Sequence, residues 1–145
     1  MKLKQLRLES FKCFRHPLQL DGLSTGINLF VAPNEAGKST IAEAIRAAFF
    51  ERHRSSTLDT LRPWGDGSAT PLVELEFELQ GKTAQLSKAF MGKKRCHLRI
   101  DGLDLDGNAA EDHLAALLGF RFASKGASSA EHLGIPGLLW IRQGE

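Results

Sequence analysis

The sequence predicts an α/β fold: a phosphate-loop helix beside a mixed sheet that contains an antiparallel β-meander. Three observations predict it. The apolar run "INLFVA" (27–32) leads straight into "PNEAGKST", and a helix-like segment follows. Residues 72–79, "LVELEFEL", alternate apolar and acidic side chains, the period of a strand with one wet face. Two more strand-like runs, "TAQLSKAF" and "RCHLRI", follow across short glycine-bearing turns.

Each element can be justified in order. "LKQLRLESF" alternates at Leu6, Leu8 and, past Ser10, near Phe11, as in a half-buried first strand. "PLQL" is a short second strand before the turn "DGLSTG". The run 27–32 has no polar alternation, which predicts a strand buried on both faces. Ile41, Ile45, Ala48 and Phe49 then recur at helical spacing. Segment 51–71 has no sustained period and reads as a long, mobile connection. After the meander, "NAAEDHLAALLGF" carries Asn108 and Glu111 in capping-box spacing, an apolar stripe of Ala110, Leu114, Leu117 and Leu118, and Gly119 as its C-terminal cap. A final apolar strand, "LLWIRQGE", ends in polar residues.

Composition bounds the function. The chain has 145 residues, 42% hydrophobic and 25% charged, which fits a single domain over 1–145 with a packed core. The N-terminus has scattered charges and no apolar run, and no stretch approaches a membrane span. No membrane partner and a cytoplasmic location are therefore expected. Cys13 and Cys96 have no metal or redox spacing and read as reduced thiols. A net charge of +2 is too small to argue for nucleic acid by itself.

The chemistry lies in the glycine loop. The motif G-x-x-x-x-G-K-[ST] wraps phosphates in backbone N–H groups at a helix N-terminus. Here residues Asn34, Glu35, Ala36, Gly37, Lys38, Ser39 and Thr40 form that cradle. Gly37 permits close approach, Lys38 offers a cation to the β- and γ-phosphates, and the Ser39 hydroxyl suits Mg²⁺. Ala32 replaces the first glycine, which is tolerable if its φ is negative and costly if positive.

Several other features have simpler readings. "DGLDLDGNAAEDH" misses the calcium-loop pattern and reads as a hairpin turn. Glu74, Glu76 and Glu78 read as a solvated strand face. The histidines lack ligand spacing. Lys88 with "KKR" at 93–95 forms a basic hairpin, read as a solvated turn or as a DNA-backbone contact. Trp64 reads as packing, with an adenine or lid role as the alternative.

"LRLESFKCF", "GINLFVAPNEAGKST", the meander and "LLWIRQGE" together resemble the N-terminal half of an ABC-type ATPase head. The families are the SMC-like DNA-repair ATPases, including SbcC and the YhaN-like proteins. The resemblance implies that Gln143 is the Q-loop residue reaching Mg²⁺ and the attacking water, and that Lys12 faces the nucleotide. It implies ATP and Mg²⁺ as cofactors. It also implies a C-terminal lobe of the same ATPase carrying the Walker B and signature motifs, which this sequence lacks, and a head–head dimer across ATP. DNA and a nuclease are the implied further partners. The expectation is an ATPase with a composite site, inactive as this chain alone. Two other readings stay open: a nucleotide-kinase-like phosphotransferase, and a DNA-binding module with a vestigial loop.

Overall fold

The computed structural model describes residues 1–122. Its strands are β1 (Lys2–Glu9), β2 (Leu18–Leu20), β3 (Leu72–Leu79), β4 (Lys82–Ala89), β5 (Arg95–Ile100) and β6 (Leu103–Asp106). Its helices are α1 (Lys38–Phe50) and α2 (Gly107–Leu118), with a single 3₁₀ turn at Asp59–Leu61. The strands form one six-stranded sheet in the order β2-β1-β3-β4-β5-β6, antiparallel at every pairing. The meander reads off the turns. Gln80 and Gly81 join β3 to β4, and Asp101 and Gly102 join β5 to β6, each pair at positive φ. Such two-residue connections match the twist of antiparallel strands.

One sheet face is apolar and the other polar, as period-two alternation requires. Leu6, Leu8, Val73, Phe77, Leu86 and Leu98 are buried on the first face, against Ala44, Ala48 and Phe49 of α1 and Ala110 and Leu114 of α2. Phe49 meets Phe77 edge to face at 5.2 Å between ring centroids, an arrangement that aromatic quadrupoles favour. On the other face Glu74 joins Arg7 at 2.7 Å and Ser87 at 3.2 Å, so the glutamate row lies on the wetter side. Gly119 caps α2 at φ 75°, its N–H shared by Ala115 and Ala116. Among the described residues no helix is long and apolar enough to cross a membrane.

Four expectations need correction. The run 27–32 is not a strand: Ile27 is 97% exposed, and Leu29 and Val31 are each 82% exposed. A strand buried on both faces needs neighbours along its edges and above and below, and the described sheet offers it none.

Segment 51–71 is anchored. Leu61 and His53 are buried. The Leu61 carbonyl accepts from Lys12 N–H at 2.8 Å, and the Pro71 carbonyl from Phe90 N–H at 2.9 Å. Its loop composition is real, but distant partners satisfy its backbone.

Lys88 is not part of a basic surface. It lies on the core face, in phase with Ala84 and Leu86, and is fully buried. Its ammonium donates to Ala48 O at 3.1 Å and pairs with Glu111 at 3.0 Å. Ala48 O belongs to the last turn of α1, where carbonyls lack helical partners and a cation is favoured.

Glu111 does not close a capping box. The N-cap is Asp106, with no side-chain cap bond. The Glu111 carboxylate is buried, accepting from His53 N–H at 2.6 Å and Arg52 at 3.2 Å. His53 Nδ1 lies 3.0 Å from the same carboxylate but outside hydrogen-bonding geometry.

Candidate nucleotide site

The site is built where α1 begins. Ala36 N–H reaches Pro33 O at 3.3 Å, closing a four-residue turn with Glu35 at φ 66°. A positive φ at the third residue is what a type II turn demands. Gly37 follows at φ 91° as N-cap. The first backbone bond of α1 runs from Ile41 N–H to Gly37 O at 3.0 Å. The N–H groups of residues 38–40 are therefore left without helical acceptors, at the positive end of the helix.

Lys38 bends back over the loop. Its ammonium donates to Ala32 O at 2.5 Å and Pro33 O at 2.8 Å. Ala32 does not take a positive φ, so its methyl group is sterically acceptable. That removes the one feature favouring a vestigial loop. Asn34, Glu35, Ala36 and Ser39 are exposed, while Gly37, Lys38 and Thr40 are half-buried.

The turn after β1 presses on this loop. Ser10 and Lys12 both have positive φ, 51° and 49°, and Phe11 and Phe14 form an isolated antiparallel bridge. A Cβ on Gly37 would lie 2.5 Å from Phe14 Cζ and 2.9 Å from Cys13 Sγ. Cys13 Sγ sits 3.5 Å from Thr40 Oγ1. Lys12 is thus brought beside α1, where its ammonium pairs with Glu43 in the second turn of the helix. Beyond it a shallow depression of about 640 Å³ is lined by Lys12, Arg15 and Arg62, by Asp59 and Asp66, and by Trp64. Trp64 is 91% exposed, and its carbonyl accepts from Arg15 at 2.5 Å.

The residues fit a nucleotide's phosphates: a glycine with no room for a side chain, outward N–H groups, and Lys38 folded over the loop, with Lys12 paired at the neighbouring turn of the helix. The Ser39 and Thr40 hydroxyls are oxygen donors of the kind Mg²⁺ takes. Gln143 and the strand expected before it lie outside the described residues. Sequence reasoning missed Glu43, Cys13 and Phe14. Glu43 had a readable signal, because it follows Thr40 by three residues and Ser39 by four, on one helix face.

The two thiols differ in environment. Cys96 is buried in the core, and desolvation pushes its pKa up to about 11, against the opposing pull of Lys88. Cys13 is exposed. A maleimide at pH 8 is therefore expected to label Cys13 and spare Cys96 in the native protein, and to label both in denaturant, as read by peptide mass spectrometry.

The family described as AAA domain matches residues 5–112. The chain is 32% identical over 112 residues to the SbcC component of the nuclease SbcCD of Deinococcus radiodurans, covering 74% of this chain and 12% of that protein. It is 32% identical over 104 residues to the DNA double-strand break repair Rad50 ATPase of Methanococcus maripaludis, covering 70% of this chain and 10% of that one. The chain thus spans about a tenth of the length of these relatives. A solved structure from work on ATP-driven dimerization and DNA-stimulated activation of SMC ATPases superposes with a TM-score of 0.55 at 16% identity. It covers 99% of this chain and 93% of that one, a likeness of fold. The chain belongs to the AAA domain family, with relatives among the SbcC and Rad50 ATPases.

Proposed function

We propose that this chain is the ATP-binding lobe of a DNA-repair ATPase of the SbcC and Rad50 type. The observation that carries the reading is the Gly37–Lys38–Ser39 turn opening α1, with its glycine packed too closely for any other residue. Lys38 and the N–H groups of residues 38–40 hold the phosphates, Ser39 and Gln143 ligate Mg²⁺, and Lys12 adds a second positive charge. Bound Mg²⁺ neutralises charge that develops on the phosphates during hydrolysis. The exposed depression beside Trp64 leaves room for the base.

Hydrolysis in this reading needs a C-terminal lobe carrying the general base, and a head–head dimer across ATP. The run 27–32 supports that view, because its exposed Ile27, Leu29 and Val31 offer apolar surface of the kind a partner covers. A DNA contact is supported by Arg54, Lys93, Lys94 and Arg95, all exposed. The Lys94 ammonium reaches Arg54 O at 3.3 Å, which draws the β4–β5 turn and the loop after α1 into one basic patch. The name of the SbcCD relative supports a nuclease partner.

Titration calorimetry with ATP and Mg²⁺ tests the reading. Lys38→Ala is expected to weaken binding by about tenfold to a hundredfold, the worth of charged hydrogen bonds to phosphate. Equal affinity of wild type and variant would overturn it.

A further inference from the structure

We infer that Glu43 is a positioning residue for nucleotide binding: it holds the Lys12 ammonium beside the phosphate loop and competes with the phosphates for it. The inference rests on the nucleotide reading above and deepens it.

Glu43 lies one turn into α1, on the face that carries Ser39 and Thr40. Helical side chains tilt toward the N-terminus, so its carboxylate leans toward the first turn. Two contacts from the turn after β1 run along that same face. Cys13 Sγ meets Thr40 Oγ1 at 3.5 Å, and the Lys12 ammonium meets Glu43. The Lys12 backbone is pinned, with φ 49° and its N–H on Leu61 O at 2.8 Å. Only its side chain can swing.

The neighbouring cations are otherwise engaged. Arg15 donates to Trp64 O, and Arg62 donates to Ala69 O at 2.9 Å and Asp59 at 2.7 Å. Lys12 alone among these three is held by a carboxylate of the phosphate-loop helix itself. A phosphate chain at the helix N-terminus places negative charge near both members of the pair. It repels Glu43 and attracts Lys12. The ammonium is drawn from the carboxylate toward the ligand, and Glu43 opposes that transfer. The affinity measured for ATP is then reduced by the competition.

A double-mutant cycle read by ATP titration tests this. Glu43→Gln keeps the shape and removes the charge, and is expected to tighten ATP binding about threefold to tenfold, the scale of one partly exposed charge pair. Lys12→Met is expected to weaken binding, and Glu43→Gln to tighten it by clearly less in the Lys12→Met background than in wild type, because only the direct repulsion is then relieved. A merely structural ion pair gives a different pattern: lower thermal stability and weaker binding in Glu43→Gln. That pattern, no change, or the same gain without Lys12 would overturn the inference. Thermal melts check folding. If Glu43→Gln does not fold, Glu43→Asp, with its shorter reach to Lys12, is expected to move affinity in the same direction. Failure of wild type to bind ATP at all would sink both readings. Binding that is lost in Lys38→Ala but unmoved in Glu43→Gln would sink only this one.

Discussion

Glu111→Ala is expected to lower the stability of the fold by about 3–5 kcal/mol, the cost of removing one member of a buried ion pair. Lys88 would be left charged and fully buried, with Ala48 O as its remaining partner. His53 N–H would lose its acceptor. On a chain of this length the midpoint of a thermal melt should fall by roughly 10 °C or more. Lys88→Met/Glu111→Leu should recover much of the loss, because an apolar pair of similar volume leaves no charge buried. A loss under about 1 kcal/mol in Glu111→Ala would show that the pair is not desolvated as the structure has it.

The same pair sets an acid limit. Burial alone would raise the Glu111 pKa, but Lys88 and the His53 N–H outweigh it, and the net direction is down from 4.5. A depressed folded value means that the unfolded chain takes up the proton first as pH falls. The contribution of Glu111 is therefore complete above its ordinary range and is lost as pH drops from 4.5 through the folded value. The stability gap between wild type and Glu111→Gln should narrow across that window in urea titrations at stepped pH.

Gly37→Ala is the second large effect, and it should strike binding and stability together. The backbone sits at φ 91°, which costs an L-residue about 1–2 kcal/mol. The new methyl would also stand 2.5 Å from Phe14 Cζ, adding about 1–3 kcal/mol of overpacking unless the turn moves. Moving it shifts Lys12 and the first turn of α1, so ATP affinity should fall as well. Gly65 is a matched control: its φ is 79°, but a Cβ there meets nothing within 4 Å. Gly65→Ala should show only the backbone part. Phe14→Ala should relieve part of the Gly37→Ala loss in the double variant, a coupling that pure backbone strain would not produce.

Much of this architecture was legible in the chain itself. The phosphate-loop helix, the meander and the Gly119 cap follow from spacing and turn chemistry within a few residues, and local sterics decide them. Lys88 shows how far that reaches. Its parity with Ala84 and Leu86 places it on the core face, and the alternation was there to be read. Its charge argued for the surface, and only a carboxylate arriving from another element could make burial tolerable.

The site divides in the same way. Gly37, Lys38 and Ser39 announce themselves by order along the chain. The closeness of Phe14 and Cys13 to Gly37, and the pairing of Lys12 with Glu43, depend on β1 delivering its turn to α1 across the fold. The sequence by itself determined where the glycine turn opens α1, because backbone geometry there is a property of consecutive residues. Tertiary structure alone decided which charges meet, which loop is anchored and that 27–32 lies bare, because burial and pairing belong to partners far apart in the chain.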